Sequence, residues 1–189
     1  LKTVSHPVSV IIDNDAPMPW CDFGVSPFIA STGSGVLTDP QLTYNVRENC
    51  GTPLNVKIEA FSNELEDVNS QKIVLLYEKA HTSTDGNREI GLYVASSICS
   101  TQSNGQCIRE TGLENRRFYV ARITATDQAG LVNTAEYFVE VRSQQAKNLS
   151  NEDRPSQYFL IETYNYPTYI PTVLPASPDA EVLNIIVRN

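Results

Sequence analysis

No apolar run in the sequence approaches the ~20 residues that a helical membrane span requires. Leu1 to Val10 lacks the basic start and long apolar stretch of a secretory signal. The chain begins without Met, in what already reads as a strand, as expected of a processed or excised piece. Basic residues are outnumbered, 14 Lys and Arg against 22 Asp and Glu, for a net charge of −8. Phosphate backbones and anionic lipid surfaces are bound by basic stripes, so neither nucleic acid nor membrane insertion by this segment is expected. Histidine is scarce, with only His6 and His81. There is no Gly-x-Ser-x-Gly elbow, His-Glu-x-x-His helix or phosphate loop, so the chain is not expected to be an enzyme. No amphipathic helix is discernible. No two cysteines have the C-x-x-C spacing of zinc or redox sites.

What is there is alternation. Val8–Ile12, Leu42–Arg47, Leu54–Phe61, Ile73–Tyr77, Ile90–Val94, Phe118–Thr126 and Ala135–Val141 read as strands, rich in β-branched and aromatic residues and separated by turn signals. Asp13 to Pro17 stops the first, and Asp127-Gln128-Ala129-Gly130 turns the chain between the last two. The composition changes after Val141. A polar stretch, a short apolar run Tyr158–Ile161 and a Tyr- and Pro-rich segment precede a final strand over Glu181–Val187. Prolines in that segment exclude a central strand. At 189 residues, 41% of them hydrophobic, the chain exceeds the ~100 residues of one sandwich domain and falls short of two with linkers.

The four cysteines are Cys21, Cys50, Cys99 and Cys107. Cys99 and Cys107 flank a polar loop with an Asn104-Gly105 turn signal, which suits a bridge across it. Cys21 would then pair with Cys50, although sequence alone leaves other connectivities open. Trp20, beside Cys21, suits packing on a disulfide. Asn148-Leu149-Ser150 is a glycosylation sequon. Oxidised cysteines and a sequon point to an extracellular or cell-surface protein.

Three stretches together resemble the immunoglobulin-like repeats of extracellular surface proteins, of the hyalin-type and cadherin-like kinds. Val10-Ile11-Ile12-Asp13-Asn14-Asp15-Ala16-Pro17 is similar to the acidic linker of those repeats. Val46-Arg47-Glu48-Asn49-Cys50-Gly51 looks like their Asp/Asn-Cys-Gly corner. Ala125-Thr126-Asp127-Gln128-Ala129-Gly130 resembles their penultimate strand and turn. The likeness covers residues 10 to 142. It departs from the pattern in a longer middle section, in the extra Cys99 and Cys107, and beyond Arg142. The resemblance implies an all-β, immunoglobulin-like antiparallel β-sandwich with an extended C-terminal segment. Residues 1–14 would form a terminal strand and linker, 15–142 the sandwich and 143–189 the tail.

Asp13, Asn14 and Asp15, with Asp127, are candidate calcium ligands; Glu48 or the Glu64, Glu66 and Asp67 group would have to complete the oxygen set. The simpler readings are a solvated Asx turn at 13–15, a turn cap at Asp127 and a solvated acidic loop at 64–67. Tyr164, Tyr166 and Tyr169 would form an interface strip or lie on their own sandwich. Val10, Ile12, Val182, Ile185 and Val187 are the candidate contacts of terminal strands that pair with each other or with a neighbour. The leading expectation is a structural or adhesive module of a secreted cell-surface, filament or matrix protein, joining neighbouring domains or copies. One rival is a carbohydrate- or receptor-binding module using Trp20, Tyr93 or Tyr164. Another is an accessory domain of a secreted hydrolase.

Overall fold

Leu54, Val56, Ile58 and Ala60 are buried while Asn55 and Lys57 are exposed, the period of two that places alternate side chains on opposite faces of a strand. The same logic runs through the chain, and no helix occurs among the described residues. The structure, a computed structural model, describes residues 8–10, 14–23, 28–30, 37–40, 42–48, 54–64, 73–79, 89–96, 116–143, 154–169, 172–173 and 183–185. Its strands are β1 (Val8–Val10), β2 (Met18–Phe23), β3 (Phe28–Ala30), β4 (Leu37–Thr38), β5 (Leu42–Glu48), β6 (Leu54–Ser62) and β7 (Val74–Lys79). They continue as β8 (Glu89–Ala95), β9 (Arg116–Thr126), β10 (Val132–Arg142), β11 (Phe159–Tyr169), β12 (Thr172–Val173) and β13 (Leu183–Ile185).

Two sheets enclose one core. The first has the order β11-β6-β9-β10-β3, antiparallel except for β3, which runs parallel to β10. In the second, β2, β5, β8 and β7 pair antiparallel in that order, and short β4 and β12 extend β8 and β5. Tyr44, Val46, Val74, Leu76, Leu92 and Val94 from the second sheet meet Val56, Ile58, Tyr119, Ala121, Ile123, Val139 and Val141 from the first. Each valine, leucine or isoleucine among them taken fully out of water stabilises the fold by ~1.5–3 kcal/mol before the cost of ordering it. Polar contacts fix one sheet against the other. Tyr119 donates to the Ala95 carbonyl at 2.8 Å, and the Tyr44 and Tyr137 rings lie 5.8 Å apart.

The β9–β10 hairpin shows how the local sequence sets the register. Asp127 accepts from the Gly130 N–H at 3.3 Å through its carbonyl and from the Leu131 N–H at 2.8 Å through Oδ1. Gly130 adopts φ 87°, the left-handed conformation a side chain disfavours, and closes the turn. Eleven residues then pair on each side, from Val132↔Thr126 to Arg142↔Arg116.

Two elements differ from the sequence reading. Met18–Phe23 is a strand despite Pro19, because it lies at a sheet edge, where a missing N–H can be tolerated. Within the Tyr- and Pro-rich stretch, Phe159–Tyr169 pairs with β6 as the edge strand of the first sheet, where the sequence reading has only a short apolar run and an extended segment. The register shift between Tyr166 and Tyr169 absorbs Pro167, as bulges do at edges, and a second shift lies between Leu160 and Glu162.

Candidate functional site

The terminal strands come together. β1 and β13 form an antiparallel two-stranded sheet of their own, with Val8↔Ile185, Ser9↔Asn184 and Val10↔Leu183 in register. Ile12, Val182 and Val187 lie outside the described residues. Three residue pairs make a ribbon too small to be stable unaided. Among the described residues, no other strand pairs with either of its outer edges.

Of the candidate calcium ligands, Asn14, Asp15, Glu48 and Asp127 share one pole of the sandwich, Glu64 lies at the other, and Glu66 and Asp67 lie outside the described residues. The first pole holds the start of β2, the end of β5, the start of β6 and the β9–β10 turn, as the pairs Met18↔Arg47 and Asn55↔Thr126 require. Asn14 and Asp15 are exposed there, while Glu48 and Asp127 are buried. Asp127 caps its turn through Oδ1; its Oδ2 is buried and accepts no hydrogen bond among the described residues. Asp13 lies outside the described residues. Among those described, no group of three or more His, Cys, Asp or Glu side chains is placed to hold a metal ion.

The opposite pole carries an ionic cluster that sequence patterning did not reveal. Arg116 and Arg117 at the start of β9 are fully buried, on opposite faces of the sheet. Arg117, on the core side, pairs with Glu64 and reaches the Tyr119 hydroxyl. Asn63 binds Phe118 through both backbone and side chain, so the end of β6 is locked to the start of β9. On the outer face Glu140 accepts from Arg116 at 2.5 Å and from Arg142 at 2.6 and 2.9 Å. Burial pushes the Glu140 carboxyl up, but the hydrogen bonds and charges of Arg142 and Arg116 outweigh it and hold the group below its ordinary value. Every charge here has a partner, the condition for burying it. This arrangement fixes strands; it presents no reactive group to solvent.

The aromatic candidates separate. Tyr166 is buried against its own core and stacks on half-buried Tyr164, with ring centroids 6.0 Å apart. Tyr169, also on β11, pairs with Leu54 of β6. Trp20 and Tyr93 lie on strands separated by β5, and Tyr164 belongs to the other sheet. Tyr93 instead meets Tyr77, a residue the sequence reading had only as part of a strand, on the outer face of the second sheet. Cys21 sits opposite Tyr44 in the β2–β5 ladder. Cys50, Cys99, Cys107 and Asn148 lie outside the described residues.

No protein-family model matches the chain, and no curated protein matches it. Among solved structures, a mutant of the SrpA adhesin from Streptococcus sanguinis is similar over 72% of this chain, at 12% identity and a TM-score of 0.37. The match spans 63% of that chain, less than two thirds of it. A likeness this slight bears on neither family nor function. No helix among the described residues is long and apolar enough to cross a membrane. The chain is an all-β protein built as a two-sheet sandwich.

Proposed function

We propose that this chain is a structural or adhesive module of a secreted cell-surface, filament or matrix protein, joining neighbouring domains or copies rather than catalysing a reaction. The observation that carries the proposal is the β1–β13 ribbon. It stands apart from both sheets and is too short to be stable alone. Among the described residues its outer edges pair with no other strand, and they offer backbone N–H and C=O groups that a strand from a neighbour would satisfy.

The finer, immunoglobulin-like reading is supported by strand order. β2-β5-β8-β7 facing β6-β9-β10 parallels the ABED and CFG sheets of constant-type immunoglobulin domains. β3 beside β10 and β11 beside β6 are additions to that plan.

Size-exclusion chromatography with light scattering tests the proposal. The full chain is compared with chains lacking residues 1–12 or 180–189, each in calcium and in chelator. Oligomers that grow with concentration and vanish in either truncation are expected. A monomer at every concentration tested, in both buffers, would remove joining through this ribbon. A chelator effect would bring calcium into the joint.

A further inference from the structure

On the outer face of the second sheet, Tyr77 and Tyr93 form an aromatic pair, with centroids 4.7 Å apart and planes 33° from parallel. The sequence builds it by leaving out a side chain. Gly91 lies directly across from Tyr77 in the β7–β8 ladder, and any Cβ there would come within 2.2–2.4 Å of the Tyr77 ring and hydroxyl, an overlap no side chain tolerates. The ring therefore lies down on the Gly91 backbone instead of standing off the sheet. Asp39, following β4, accepts from the Tyr77 hydroxyl at 3.4 Å. Both rings remain partly exposed, as does Asp39.

We propose that Tyr77, Tyr93 and Asp39 form a binding site for an uncharged sugar residue. Aromatic faces bind the C–H faces of a pyranose, which a flat aliphatic surface does less well. A carboxylate at the rim accepts hydrogen bonds from ring hydroxyls. The Tyr77 oxygen, while donating to Asp39, retains lone pairs that accept another. Burial, with Asp39 and Tyr93 beside it, pushes the Tyr77 hydroxyl above its ordinary pKa. Charge selects the class. The chain carries −8 and places a carboxylate in the site, which disfavours sialylated or sulfated sugars. Size argues the same way, because a protein partner needs ~800 Å² on each side and a pair of rings supplies a fraction of that. The site is independent of the β1–β13 ribbon: a chain that fails to assemble can still bind sugar, and the reverse.

The test is saturation-transfer NMR of the full chain with methyl β-galactopyranoside, methyl α-mannopyranoside, N,N′-diacetylchitobiose and 3′-sialyllactose. At least one neutral sugar is expected to bind. Tyr93→Ala and Asp39→Asn should each weaken that binding about tenfold, the effect of losing ~1.4 kcal/mol, with Asp39→Asn leaving the melting temperature unchanged. Tyr77→Ala is a poor probe because the ring also covers Gly91, whereas Tyr77→Phe removes only the hydroxyl and should weaken binding with the fold intact. The proposal is overturned if no neutral sugar binds, if binding survives both Asp39→Asn and Tyr93→Ala unchanged, or if 3′-sialyllactose alone binds.

Discussion

The Glu140 carboxylate is shared between two arginines at hydrogen-bonding distance, one of them fully buried. Its folded-state pKa lies below the unfolded value of ~4.3. Its contribution is therefore complete above that value and is lost as pH falls through the folded pKa. Chemical denaturation between pH 6 and pH 3 should show stability falling at the acid end, with Glu140→Gln flattening that fall. An equal fall in the variant would assign the acid sensitivity elsewhere. Glu64 lends itself to a double-mutant cycle. Glu64→Ala strands Arg117 in the core and should cost ~3–5 kcal/mol, while Glu64→Ala with Arg117→Met should cost distinctly less than the two single changes added. Strict additivity would mean the pair is not coupled. None of this cluster was legible in the sequence. Arg116 and Glu140 are 24 residues apart, Arg117 and Glu64 are 53 apart, and two adjacent arginines read most simply as a solvated strand end.

Elements are where the sequence was most readable. β5, β6, β8, β9 and β10 stand within a few residues of their predicted bounds, because each sets alternate apolar side chains into the core, as Leu54, Val56, Ile58 and Ala60 do in β6. The short strands β3, β4 and β12 carry too few residues for any period to register. β11 was obscured for another reason: its tyrosines and Pro167 suit both a tail and an edge strand, and only pairing with β6 decides between them. Tyr166, deep in the core, and Thr163, exposed on the opposite face, give the element its test. In urea unfolding, Tyr166→Ala should lower stability by ~3 kcal/mol and Thr163→Ala by under ~0.5 kcal/mol. Similar small losses at both positions would mean that β11 is not held to the sandwich in solution.

At the scale of the whole molecule, the two poles have different work. One is closed by paired buried charge and inter-strand locks; the other gathers the exposed Asn14 and Asp15 near the β9–β10 turn. The terminal strands were legible as strands, but their mutual pairing was not, since Val8–Val10 and Leu183–Ile185 carry the same apolar alternation and would suit either each other or a neighbour. Ser9 and Asn184 face each other in register, so Ser9→Cys with Asn184→Cys places two cysteines ~4.5–5.5 Å apart at Cα, within reach of a disulfide. Mixing isotopically heavy and light copies before oxidation separates closed from exchanged ribbons. A ribbon closed within one chain gives only heavy–heavy and light–light cross-linked peptides by mass spectrometry. Strands exchanged between copies give heavy–light peptides as well, in a share that rises with protein concentration. Because three residue pairs hold the ribbon so weakly, exchange should become visible before the sandwich itself unfolds, and a purely intramolecular pattern at every concentration would confine the ribbon to capping its own chain.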